Sequence, residues 1–164
     1  MAADEKSPSK KVPRTLRVVR IAVFAALSVV GSFIHLPSPV PSVAFDSAPG
    51  FFAALYFGPV EGFFVFGFGH MATAIVSGFP LGILHLPIAV GLAAAGAVVG
   101  EINRRWNLIP AVAAGIAINT GLVVLAIPLL GLAATLSFTP FLFIAATVNG
   151  VVASAAYLTL RRRL

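Results

Sequence analysis

Apolar residues run along this chain in long uninterrupted blocks. No Asp, Glu, Lys or Arg occurs between Arg20 and Asp46, between Glu61 and Glu101, or between Arg105 and Arg161. A helix crossing a bilayer takes about 20 apolar residues. The blocks therefore have room for one, two and two spans, with a shorter apolar segment between Asp46 and Glu61. Proline, glycine and charge divide them into expected spans over 16–34, 47–57, 60–76, 86–100, 108–127 and 138–160. The class is all-α: a polytopic membrane protein with a bundle of six transmembrane helices. Segment 47–57 is the odd one, because at 1.5 Å per residue it reaches only about 17 Å across a ~30 Å core. It must tilt, or form a partly re-entrant pair with its neighbour that protein shields from lipid.

The connections have their own signatures. HLPSPVPSVAFD, over 35–46, carries Pro37, Pro39 and Pro41 and opposes helix. The Asp46-Ser47 pair has the residue types of an N-cap for segment 47–57. Gly58-Pro59 and SGFPLG (77–82) read as turns, EINRRWN (101–107) as a polar loop and PLLGLAATLSFTP (128–140) as a mildly polar one.

Composition excludes the soluble alternatives. The 164 residues are 59% hydrophobic and 10% charged, against ≈ 45–50% and about a quarter in soluble domains. The net charge of +6 changes the picture only through its placement. Every cation lies in the N-terminal segment (Lys6, Lys10, Lys11, Arg14, Arg17, Arg20), at Arg104 and Arg105, or at Arg161, Arg162 and Arg163. Basic clusters flanking apolar spans mark cytoplasmic loops, so six spans with both termini cytoplasmic put all eleven cations on one side. No polar region is large enough to form a basic nucleic-acid-binding face. Residues 1–14 read as a disordered cytoplasmic tail and 15–164 as one transmembrane domain. The first span lacks a convincing small-residue cleavage site and is expected to be retained. Without cysteine there is no disulfide, thiolate nucleophile or thiolate metal site.

Polar side chains inside the spans are the candidate chemistry. His70, Thr73 and Ser77 share one helix face. Depth along the helices places His70, Thr73 and Asn119 in one polar layer of the outer half, beneath Asp46 and His85. Such residues face the bundle interior and mark a site, or bond between helices for about 0.6 kcal/mol each. The candidate substrate-binding set is Asp46, His70, Thr73, His85 and Asn119. Asn149 and Thr147 of the last span fit the structural role better, and His35 reads as a loop residue. Glu61 and Glu101 fall on the cytoplasmic side. Small residues four apart (Ala22/Ala26, Gly96/Gly100, Ala111/Gly115) permit close helix approach, and Ala22/Ala26 is the best candidate for a partner-docking face. Catalysis has little support: the histidines are not clustered for a metal, Ser47 with His70 is only a faint hydrolytic pair, and no phosphate-binding loop is present. No cofactor or metal is expected. An outer half without Lys or Arg suits a neutral ligand, and Phe45, Phe51, Phe52, Phe79 and Phe138 offer flat apolar walls.

Six short spans, basic ends, the Ala22/Ala26 pair and a long loop after span one resemble the substrate-binding S component of energy-coupling factor (ECF) vitamin transporters. The stretch AFDSAPGFFAALYFGPVEGFFVFGFGHMATAIVSGFPLG, over 44–82, resembles the subgroup assigned to α-ribazole, a cobalamin precursor. The resemblance implies a multi-pass subunit of the plasma membrane that captures a vitamin-like solute from outside. Its partners would be a transmembrane coupling protein and cytoplasmic ATPase subunits. Ala22 and Ala26 match the family's docking motif, the loop after span one matches its lid over the site, and toppling in the membrane would carry the substrate across.

Overall fold

Helix accounts for nearly all of the chain in the computed structural model, which describes residues 12–38 and 43–162. The helices are α1 (Arg14–Ser32), α2 (Ala48–Tyr56), α3 (Pro59–Val76), α4 (His85–Arg105), α5 (Leu108–Gly121), α6 (Ile127–Leu130) and α7 (Leu132–Arg161). Short 3-10 helices, Gly82–Leu84 and Leu122–Ala126, lead into α4 and α6. The tail expected over 1–14 lies almost entirely outside the described residues, as do Pro39 and Pro41. The cations Lys6, Lys10, Lys11 and Arg163 lie outside them too.

Five helical stretches are long and apolar enough to cross a membrane: Arg14–Ser32, Pro59–Val76, Gly82–Arg105, Leu108–Leu130 and Leu132–Arg161. The sixth expected span is not among them. α2 has 9 residues, about 14 Å at 1.5 Å per residue. The chain enters it through an irregular segment whose Val43, Ala44 and Asp46 are buried. Irregular backbone at membrane depth requires that protein cover. The segment is tied back to the end of α1 by a bridge of His35 with Ala44, with Leu36 N–H donating to Val43 O at 2.9 Å and Phe45 N–H to Ile34 O at 3.0 Å.

The N-cap expected from Asp46-Ser47 does not form, since neither side chain accepts from the first turn of α2. The cap comes from α7 instead, where Asn149 Oδ1 accepts the Ala48 N–H at 2.9 Å. Its Nδ2 donates to Ala145 O at 2.9 Å and to Ala44 O at 3.3 Å. One amide thus satisfies the helix start and the loop before it, far from either in sequence.

Two further boundaries moved for local reasons. Residues 101–105, expected in a loop, continue α4. Glu101 pairs with Arg104 at 2.7 Å and with Arg105, pairs that the helical i,i+3 and i,i+4 spacing favours. The connection shrinks to Trp106 and Asn107, whose side chain caps α5 by accepting from Ile109 N–H at 3.0 Å. The outer loop expected over 128–140 shrinks to Gly131, at φ 76°, a value that favours glycine. α7 then begins at Leu132, and the hydroxyls that looked loop-like are satisfied within it. Thr135, Ser137 and Thr139 donate to the carbonyls of Gly131, Ala134 and Thr135 at 2.8–2.9 Å.

α3 packs between α1, α2 and α4. Lipid tails are as apolar as leucine, so close backbone contact rather than hydrophobic drive holds such helices together. A Cβ added at Gly96 would lie 2.2 Å from Gly62 O, and one at Gly100 would lie 2.5 Å from Pro59 N. The Gly96/Gly100 pair therefore serves internal packing. So does Ala111/Gly115, where a Cβ at Gly115 would meet Phe51 at 2.4 Å. Basic groups gather at one end of the bundle. Glu61, 3% exposed, receives Arg17 at 3.2 Å and Arg20 at 4.0 Å, and Arg20 lies over the Phe57 ring at 4.6 Å.

Candidate functional site

Segment 43–47, α3, α4, α5, the following 3-10 helix and α7 enclose a cavity of about 60 Å³. Its polar lining is Asp46, Ser47, His70, Asn119 and Asn149, and the apolar remainder includes Ile88, Leu92, Leu122, Val123 and Phe138. A water occupies about 30 Å³ of liquid and drug-sized ligands take pockets of about 300–1,000 Å³. A vitamin-sized ligand would therefore have to spread these walls.

The expected site residues converge, at two depths from the space. Asp46, His70 and Asn119 line it. Thr73 stands behind Asp46, donating from Oγ1 to Asp46 Oδ2 at 2.5 Å, while Ser47 Oγ donates to Oδ1 at 3.1 Å. Both carboxylate oxygens of the buried Asp46 thus meet a hydroxyl. His85, 1% exposed, stands behind His70, with its Nδ1 3.1 Å from His70 Nε2. Asn119 differs from the rest: no hydrogen bond to its side chain occurs among the described residues, so the amide is open to whatever enters.

Other expectations fared differently. Asn149, expected to serve the bundle's structure, does staple α2, and it also forms part of the cavity wall. Its three bonds run to backbone atoms more than a hundred residues away or one turn back, and no sequence pattern announces the distant ones. Thr147 bonds back to Phe143 O at 2.7 Å and lies off the cavity. The five-phenylalanine wall reduces to Phe138. Phe51 and Phe52 are core residues against Phe66 and Phe24, and Phe79 makes a T-shaped contact with His85. Ser47 bonds Asp46 and not His70, so no nucleophile–base pair exists there. Among the described residues no three His, Cys, Asp or Glu side chains assemble into a metal-binding group. Ala22 and Ala26 are both exposed on α1, among the exposed Val18, Val19, Val23, Leu27 and Val30.

Long apolar helices packed around a small, partly open cavity with a few polar groups in an apolar wall define a helical membrane protein with an internal pocket. A family model described as "ECF transporter, substrate-specific component" matches residues 16–161. The chain belongs to that family. Its members are substrate-binding transport subunits rather than enzymes, working with the other components of the ECF module on a small-molecule substrate. The fold is similar to a solved structure described as the S component of a bacterial ECF transporter. The TM-score is 0.63 at 21% identity, over 92% of this chain and 96% of that one. No curated protein matches the chain.

Proposed function

We propose that this chain captures a neutral, vitamin-like solute from outside the cell, α-ribazole before other vitamins or modified nucleobases. In this reading it then delivers the solute across the plasma membrane, powered by partner ATPases. The observation that carries the reading is the cavity. It places a carboxylate, an imidazole and two amides inside an apolar bundle with no Lys or Arg among its lining. A ligand of fixed negative charge would find no countercharge there. A heteroaromatic ring bearing a sugar offers ring nitrogen and hydroxyls to the same groups and apolar faces to Phe138 and the aliphatic walls. The 44–82 stretch that resembles the α-ribazole subgroup contributes Ala44, Asp46, Ser47, His70 and Leu81 to the lining.

In this orientation both termini lie in the cytoplasm, and segment 43–47 with α2 completes a sixth crossing. Gathering of Arg17, Arg20, Arg104, Arg105 and Arg161 toward one end supports that orientation. Ala22 and Ala26, exposed on α1, would dock the transmembrane coupling protein. Asp46, His70 and Asn119 would touch the substrate, with Thr73 and His85 holding the first two. The test is to purify the protein in mild detergent and identify retained small molecules by mass spectrometry. Retention of α-ribazole, or saturable uptake of it from a vitamin panel, is the expected result. Failure to retain or bind any vitamin-class compound would overturn the reading in favour of a ligand-free membrane scaffold.

A further inference from the structure

The two buried imidazoles form a directed chain. His85 Nε2 lies 3.2 Å from the Leu81 backbone N–H. A backbone N–H only donates, so Nε2 must supply the lone pair, and a neutral imidazole then keeps its proton on Nδ1. That Nδ1 faces His70 Nε2 at 3.1 Å. His70 must accept there and carry its own proton on Nδ1. Leu81 is itself buried in the turn before α4, and the Phe79 and His85 rings meet in a T-shaped contact with centroids 5.8 Å apart, so two neighbours restrain the His85 ring.

We infer that His85, held by the Leu81 N–H, is a positioning residue that sets the tautomer of His70 and so makes the cavity select ligands offering a lone pair to that ring. His70 lines the cavity and its Nε2 is engaged, so Nδ1–H is the one polar atom the ring has left to offer. Asp46 supplies the opposite polarity: its carboxylate oxygens, beside the Ser47 and Thr73 hydroxyls at 3.1 and 2.5 Å, keep lone pairs for a ligand's hydroxyl donor. Asn119 supplies an amide with both capacities free. The complementary ligand is a neutral heterocycle with an unprotonated ring nitrogen or carbonyl at one edge and hydroxyl donors elsewhere. A protonated amine would set N–H against N–H at His70. This rests on the cavity being the substrate site, although the tautomer assignment itself does not.

The experiment uses the full chain with ¹⁵N-labelled histidine in lipid nanodiscs, free of ligand. The His70 resonances are identified by their loss in His70→Leu. The wild type is expected to show His70 as the Nδ1–H tautomer. His85→Gln places its amide near the lost Nε2, where its oxygen can accept from Leu81 and no group stands at the Nδ1 position to donate to His70, and is expected to release His70 to the Nε2–H form. His85→Asn places an amide N–H near the lost Nδ1 and is expected to retain the wild-type tautomer. A wild-type His70 protonated on Nε2, or one unmoved by His85→Gln, would overturn the assignment. In a second arm, α-ribazole affinity should fall about tenfold in His85→Gln and much less in His85→Asn. Equal affinity in both variants after a tautomer switch would overturn the selection role. Absence of any α-ribazole binding by a wild type with the expected tautomer would defeat the ligand reading and leave the assignment standing.

Discussion

The seam between α3 and α4 and the wall formed by α5 to α7 are built on opposite plans. At the seam, glycines bring backbones into contact, and the polar groups of α3 are held by neighbours: Thr73 by Asp46, His70 by His85. The opposite wall is interrupted by a 3-10 helix and by Gly131, and its one cavity-facing polar side chain before α7, Asn119, is unpaired. The cavity lies where the two meet. A 60 Å³ space can grow only where a wall yields, and the seam has no slack to give. On the proposed reading, the seam would orient a ligand while the interrupted wall would make room for it.

The largest effect should come from bulk at the seam. Gly96→Val would drive side-chain atoms into the Gly62 carbonyl and should cost about 3 kcal/mol or more, read as a collapse of thermal stability in detergent. Gly121→Ala, in a helix with open space around it, should instead stabilise by about 0.5 kcal/mol. Equal effects at the two glycines would erase the contrast between the halves. Function should break differently at the proposed docking face. Ala22→Trp is expected to abolish ATPase-coupled uptake in vesicles while leaving solute binding intact, and equal loss of both would reject that role.

The staple joining the halves comes next. Asn149→Leu leaves the Ala48 N–H and Ala44 carbonyl without partners and should cost about 2 kcal/mol, measured by denaturation in mixed micelles. The smallest effects separate the two kinds of cavity residue. Asn119→Leu should weaken binding by about 1 kcal/mol with stability unchanged, because the amide has no protein partner to lose. His70→Leu should weaken binding similarly and also lower stability, because it strands His85.

Much of this was legible in the chain. Charge-free blocks located the long helices, and Pro59, Asn107 and the 77–82 turn marked ends within a residue or two. His70, Thr73 and Asn119 were expected to share a layer from helical rise alone, and Asp46 and His85 join them. What stayed hidden has one physical origin: partners distant in sequence. Nothing near Ala48 says that its cap is Asn149, and the serine and threonine hydroxyls of 135–139 resemble a loop until helical carbonyls accept them. Phenylalanine was equally ambiguous, since core, lipid face and ligand wall all accept it. Only Phe138 turned out to face the cavity.

The most direct measurement is calorimetric titration of the purified protein in nanodiscs with α-ribazole, run side by side with Asn119→Leu. The expected result is one-to-one saturable binding by the wild type, weakened about fivefold to tenfold in the variant at equal thermal stability. Saturable binding of equal strength in both, or none in the wild type, would contradict a solute site between the fixed and the yielding halves.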